Sequence, residues 1–349
     1  MHHIGRRAAL LGAATLLPSL RARGQSAPPP SAVSPELIAA AGREGTCVFH
    51  SSIELSVCER MIAAFNKTYP NIRVQLERTG AERILQRVTQ EYSSRIYAAD
   101  VVESSDMGTF VHWKRAGMLA AYVPQDVPRW PAEERDPDGR FASYRASMSV
   151  IAYNTRLVKP EDAPRSFADL LNPRWRMRMV KAHPSYSGSI LTSTYATVQA
   201  MGWDYMEKLA KQRVMQVQSA TEPPKKVAVG ERPVQVDGSE YVLLNMQQEG
   251  QPIAPVYAAE GTPILSGQAC VMERAAHPNA ARLFASFLFS PECQQLSVDV
   301  GNLRSFHPDV KEKPTHQKLA DIKLLRTDPI ALEQAAEEVK RRYGEVFGI

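Results

Sequence analysis

Thr46-Cys-Val-Phe-His50-Ser51-Ser52-Ile53-Glu54-Leu55 opens as a short apolar strand that stops at two serines, and the residues after it carry a helical pattern. Leu55, Cys58, Met61, Ile62 and Phe65 share one helical face. Pro70-Asn71 ends that helix, and Ile72-Arg-Val-Gln-Leu-Glu77 alternates as a strand. A helix that starts directly after a strand gathers hydroxyl side chains and free backbone N–H groups at its N-terminus. Such a place favours an anion or another polar ligand.

The alternation continues outward. A helix is predicted over residues 81–96, a strand at Ala99-Asp-Val-Val-Glu103, and a helix from Met107 to Ala116 with Gly117 at its end. Strands alternating with helices imply parallel pairing and a layered α/β lobe. Ligands of such sheets sit at the carboxyl ends of strands, where Ser51-Ser52 and Ser104-Ser105 both fall. Residues 126–144, rich in Pro, Asp and Glu, read as a surface excursion, and its Asp136-Pro-Asp-Gly139 as a plain turn lacking the ligand spacing of a calcium loop. Ser147 to Asn154 then reads as one buried strand near a crossing into a second lobe.

That lobe is predicted to hold a short helix at 166–171 and strands at 177–180, 214–218 and 234–237. The hydroxyl-rich Ser185-Tyr-Ser-Gly-Ser189 opens a long helix toward Met201, and another helix covers 239–248. Glu222-Pro-Pro-Lys-Lys226 reads as a turn at the lobe edge. Strands at 252–257 and 268–272 are expected to return to the first lobe, followed by helices at 279–288 and 291–300 and an amphipathic tail at 331–347. The expected division is 44–125 plus 252–305 for the first lobe and 145–250 plus 306–349 for the second. Two crossings imply a hinge.

With 349 residues, 44% apolar and 23% charged, the chain has the composition of a globular protein of more than one lobe. Its formal charge of +5 is misleading, because Arg6, Arg7, Arg21 and Arg23 lie in an N-terminal segment without Asp or Glu, and 5 − 4 leaves +1. A nucleic-acid partner therefore loses its electrostatic support. Arg6-Arg7, the apolar run Ala8–Leu17 and the small-x-small Ala22-Arg23-Gly24 read as an export signal over residues 1–27, with the paired arginines of a twin-arginine signal. No cysteine adjoins the cleavage site, so no lipid anchor is expected. Cys47, Cys58, Cys270 and Cys293 sit in apolar patterns without zinc spacing, open to buried thiols or to bridges.

No G-x-S-x-G, H-E-x-x-H, P-loop or dinucleotide fingerprint occurs, so binding is expected rather than catalysis, with no cofactor and no metal. A periplasmic hydrolase or transferase is the alternative of another class.

Several segments together resemble the periplasmic substrate-binding proteins of ABC importers, in the type II class near the ferric-iron, phosphonate and sugar-phosphate binders. They are Phe65-Asn-Lys-Thr-Tyr-Pro-Asn-Ile-Arg-Val74, Ala99-Asp-Val-Val102, Ala152-Tyr-Asn-Thr-Arg-Leu-Val158, Ser166-Phe-Ala-Asp-Leu-Leu-Asn-Pro-Arg-Trp175, Ser187-Gly-Ser189, Glu260-Gly-Thr-Pro263 and Pro278 to Glu292. The resemblance covers nearly the whole chain after the signal. It implies two lobes of mostly parallel sheet joined by a hinge, a periplasmic location, an ABC permease as partner, and a monomer. It also implies that Ser51-Ser52, Ser105, Ser187-Gly188-Ser189 and the region of Glu240-Tyr241 face a cleft between the lobes. Ferric members carry an adjacent tyrosine pair, suited to a hard cation. Here Val242 follows Tyr241. A small anionic organic solute is therefore expected, with ferric iron held by Tyr241, His50 and a bound anion as the alternative.

Each candidate also has a plain structural reading. Ser51-Ser52 and Ser187 can simply cap helices, and Asp106 is assigned to its own helix. Tyr153 and Tyr241 are placed in the ligand set, though tyrosines beside apolar strands commonly pack in a core. Trp175 and Trp203 are assigned to packing. Arg145 and Lys181–His183 are open to an anion or to solvent.

Overall fold

A computed structural model describes residues 26–349. The segment read as an export signal, apart from its last two residues, lies outside the described residues.

The first lobe begins with α1 (Pro35–Glu44), which Ser34 caps by accepting the Leu37 N–H at 3.2 Å. Then come β1 (Thr46–Ser51), α2 (Leu55–Thr68), β2 (Arg73–Arg78), α3 (Ala81–Ser93), β3 (Val101–Ser104), α4 (Met107–Arg115) and β4 (Ala142–Met148). β1 pairs in parallel with both β2 and β3. Its Cys47 and Phe49 enter a core with Cys58, Met61 and Phe65 of α2, and Phe49 meets Phe284 edge-on at 5.0 Å between ring centroids. The helical stripe read from Leu55 to Phe65 is buried at Cys58, Met61 and Phe65 for this reason, whereas Ile62 is half-buried and Leu55 is exposed.

The second lobe contains β5 (Ile151–Asn154), β6 (Met179–Ala182), α5 (Gly188–Met201), α6 (Trp203–Lys211), β7 (Met215–Val217), α7 (Glu222–Ala228), β8 (Val234–Gln235), α8 (Glu240–Gln248) and β9 (Ile253–Val256). Its sheet order is β7-β6-β8-β5-β9. The chain then returns through β10 (Thr262–Val271), α9 (Pro278–Leu288), α10 (Pro291–Gly301), β11 (Leu324–Leu325) and α11 (Pro329–Phe347). β10 completes the first sheet, running antiparallel to β3 and β4 in the order β11-β10-β3-β1-β2.

Three local readings change. The apolar run expected as one strand from Ser147 to Asn154 breaks at Ser149-Val150, because β4 belongs to the first sheet and β5 to the second. The strand at 252–257, expected back in the first lobe, is β9 and pairs antiparallel with β5. The second crossing therefore falls between Val256 and Thr262. Glu222-Pro-Pro-Lys-Lys226 is helix rather than turn: its prolines occupy the first helical turn, where their missing N–H groups are not needed.

The excursion over 126–144 is tied down. Val127 and Trp130 enter the first core, the Trp130 indole N–H donates to the Ser143 carbonyl at 2.8 Å, and residues from Ala142 onward already form β4. All four cysteines are free and buried. α11 packs on α4 as well as on α5 and α6, so it touches both lobes. Among the described residues no helix is long and apolar enough to cross a membrane.

Candidate functional site

The carboxyl ends of β1, β2 and β3 open on one cleft between the lobes, with a volume of about 460 Å³. Its first wall is organised by a buried carboxylate. Glu103, on β3, is fully buried and accepts from the Ser51 hydroxyl at 2.6 Å and the Ser52 N–H at 2.9 Å through one oxygen. Its other oxygen takes Nε and Nη2 of Arg145 at 3.0 and 2.6 Å. Arg145 comes from β4, two strands away, and reaches Glu103 by passing over Gly267 of the intervening β10. A Cβ at Gly267 would lie 2.6 Å from the guanidinium Nε. Burial opposes the charge on Arg145, but Glu103 outweighs it and raises the pKa above the ordinary arginine value. The Ser52 hydroxyl then accepts the Ser105 N–H at 3.2 Å, so the loops after β1 and β3 are fixed to each other. Arg78, at the end of β2, holds the same loop by donating to the Ile53 and Ser52 carbonyls at 2.8 and 3.3 Å.

Helix N-termini complete the cleft. Those of α3, α4, α5 and α8 each contribute lining residues, respectively Gly80 and Ala81, Ser105, Ser187 and Ser189, and Ser239 and Tyr241. Gly80 and Ser239 make no side-chain cap, so the first N–H groups of α3 and α8 lack that partner. Arg83 projects from the first turn of α3 with no acidic partner among the described residues. The second lobe adds Gln218, Ser219 and Thr221 from the end of β7.

The sequence candidates separate clearly. Ser52, Ser105, Ser187, Ser189 and Tyr241 line the cleft. Ser51 lies behind the wall, bonded to Glu103. Gly188 is buried where the lobes meet: a Cβ there would sit 2.6–2.8 Å from the Cβ, Cα and N of Asp106, so it approaches protein backbone, not an open cleft. Tyr153 packs in the core of the second lobe with Ile151 and Trp175. Asp106 caps α4 through the Thr109 N–H, and Trp175 is core. Lys181 is buried against Asp237 at 2.6 Å. Arg78, Arg83, Gln218 and Ser219 were missed. The signal existed, since Arg78, Gln218 and Ser219 lie on or just beyond a strand's carboxyl end, where Ser52 and Ser105 were found, and Arg83 lies in the helical turn that follows.

The iron-binding alternative meets two obstacles. His50 is buried on β1 and does not line the cleft. Tyr241 is 4% exposed, its hydroxyl accepts the Glu54 N–H at 3.1 Å, and burial pushes its pKa up to about 12. Among the described residues no group of three His, Cys, Asp or Glu side chains is placed to hold a metal.

Buried histidines elsewhere make the stability of the fold depend on pH. Burial lowers the pKa of His50, His183 and His307, and brings His316 down to about 4. Unfolded, each titrates near 6.5. Between roughly 6.5 and 4 the unfolded chain therefore binds more protons, and their contribution to stability is lost as pH falls through that window. The urea midpoint is expected to drop between pH 7 and pH 5. A flat or rising midpoint would contradict this.

The sequence profile described as "Bacterial extracellular solute-binding protein" matches residues 98–323. An uncharacterized protein of Haemophilus influenzae is 24% identical over 301 residues, covering 82% of this chain and 86% of that one. Among solved structures, the periplasmic binding protein AfuA of Actinobacillus pleuropneumoniae, with fructose-6-phosphate bound, superposes with a TM-score of 0.80 at 21% identity over 88% of this chain and 99% of that one. Iron-bound HitA of Pseudomonas aeruginosa gives 0.75 at 20% identity over 86% and 99%. At these identities the structural likeness speaks for the fold.

Proposed function

Because the chain belongs to the bacterial extracellular solute-binding proteins, we propose that it is exported to the periplasm, captures a small organic anion in the cleft between its lobes, and delivers it unchanged to an ABC permease, working as a monomer. The observation that carries this reading is convergence: four helix N-termini, with Arg78, Arg83 and Arg145 against Glu82 and Glu222, surround one polar cleft. Partial positive charge at helix N-termini and guanidinium groups both favour an anionic ligand. Two crossings, at Ser149-Val150 and between Val256 and Thr262, provide a hinge. Lys225 on the second lobe already meets Glu54 on the first at 3.3 Å, a contact suited to the closed form.

The AfuA structure holds a sugar phosphate and the HitA structure holds iron. For this chain the neutral, hydrogen-bonded Tyr241 supports the organic anion. The test is a thermal-shift panel of organic phosphates, phosphonates, carboxylates and ferric salt. Organic anions are expected to raise Tm, since binding to the native state alone stabilises it. Arg83→Ala is expected to weaken that binding by about tenfold or more, the worth of a hydrogen bond to a charged group. A visible tyrosinate–iron band on adding ferric salt, with no shift from any anion, would overturn the reading.

A further inference from the structure

The C-terminal helix α11 is held by both lobes. Its Leu332 and Val339 are buried in one cluster with Met107 from α4 of the first lobe and Leu191 from α5 of the second, and Tyr195 and Trp203 pack around them. The two attachments differ in kind. Toward the second lobe, Tyr343 is fully buried, donates its hydroxyl to Gln216 of β7 at 2.9 Å and meets the His183 ring at 5.0 Å between centroids. Val346 and Phe347 pack on the core of that lobe, and the Arg342 guanidinium lies 4.7 Å from the Trp203 ring centre. Toward the first lobe, α11 meets Met107, the bare backbone of Gly108 and two ion-pair partners. A Cβ on Gly108 would sit 3.1 Å from Glu333 Cα. Arg115 pairs with Glu333 at 2.8 Å, and Lys340 with Glu82 at 3.3 Å. Glu82 lines the cleft, so Lys340 reaches from α11 to the cleft wall of the first lobe.

These contacts decide which side parts first. Ion pairs near the surface are weak and their charges are taken up by water, whereas a buried aromatic ring is costly to expose. We propose that α11 is a strap across the lobe boundary, which travels with the second lobe and must leave α4 and the start of α3 whenever the cleft opens. A rotation that separates α4 from α5 splits the shared cluster and uncovers Met107. The strap therefore opposes opening, raises the share of closed protein and slows release of whatever the cleft holds. This rests on the hinged reading above and adds the element that restrains the hinge. The identity of the solute does not enter its test.

The test places a thiol beneath the strap. Met107→Cys puts one on the first lobe at a position 7% exposed, at the start of α4, where a helix N-terminus favours the reactive thiolate. The four native cysteines are buried in the cores and report global unfolding. Iodoacetamide in native buffer, with alkylation read by peptide mass spectrometry, is expected to modify the introduced thiol while those four stay unmodified. Arg115→Glu with Lys340→Glu turns both ion pairs into like-charge contacts and should speed the reaction by about tenfold. Lys225→Glu does the same to the contact that α7 makes with Glu54 across the lobes. It should speed the reaction by about two- to fivefold, because parting the lobes lifts the strap. Val339→Cys, a change of little volume on α11 itself, repeats the measurement from the other side of the contact. The inference is overturned if the introduced thiols react only together with the native cysteines, since α11 then leaves only on global unfolding. It is also overturned if reversing the two charges changes nothing, or if Lys225→Glu has no effect while those reversals do, since the helix then frays on its own. Any of these results leaves the anion-binding reading to stand or fall on the thermal-shift panel.

Discussion

Arg145→Met is expected to abolish solute binding and to lower stability by about 3–5 kcal/mol, the usual result of stranding one member of a buried ion pair. Glu103 is fully buried and Arg145 is 4% exposed, so the buried carboxylate loses its countercharge. The Ser51 and Ser52 donors satisfy one carboxylate oxygen, while the other loses both of its short contacts. The double variant Glu103→Gln/Arg145→Met removes the stranded charge and is expected to regain most of the stability. It should not regain binding, because Arg145 also lines the cleft. Denaturant melts give the stability of all three proteins, and titration with an organic anion that stabilises the wild type gives their affinity. A double variant as unstable as the single one would show that the loss comes from packing. One that binds like the wild type would remove Arg145 from the site.

Gly188→Ala is the second large effect, and its cause is steric. The added methyl would fall 2.6 Å from Asp106 Cβ, 2.7 Å from its Cα and 2.8 Å from its N, and backbone atoms at a helix N-cap have little room to give. Overpacking of this kind costs about 1–3 kcal/mol. The functional loss should be larger than that figure suggests. Relieving the clash means moving the start of α5, with the cleft residues Ser187 and Ser189, away from α4 and Ser105. A drop in the denaturation midpoint together with weakened anion binding is expected. Unchanged binding with lowered stability would mean that the lobe contact at Gly188 does not set the width of the cleft.

Much of the architecture was legible because it is written in local periodicity. The strand ending at Ser51, the stripe from Cys58 to Phe65 and the alternation of β2 each need only a few neighbouring residues to declare themselves, and each appears at nearly the expected place. The assignment of strands to sheets was not legible in this way. Ile253–Val256 has the same apolar character in either lobe, and its pairing with β5, about a hundred residues earlier, is set by the path of the chain. The break at Ser149-Val150 was hidden because both flanking segments are buried throughout, so no solvent-exposed turn marks the passage from one sheet to the other.

Within the site the same division holds at the scale of single residues. The sequence alone determined that small hydroxyl residues follow the carboxyl ends of strands and precede helices, and that no recognised catalytic motif accompanies them. Both are properties of order along the chain. Only the tertiary structure decided that Ser52 faces the cleft while its neighbour Ser51 turns back to Glu103. It also decided that Arg145 crosses the sheet to the same carboxylate, 42 residues away, and that Gly188 meets Asp106. A local pattern fixes the direction of a chain segment. Which distant charge or backbone fills the space beside it depends on how the lobes close upon each other, and short-range periodicity carries no record of that.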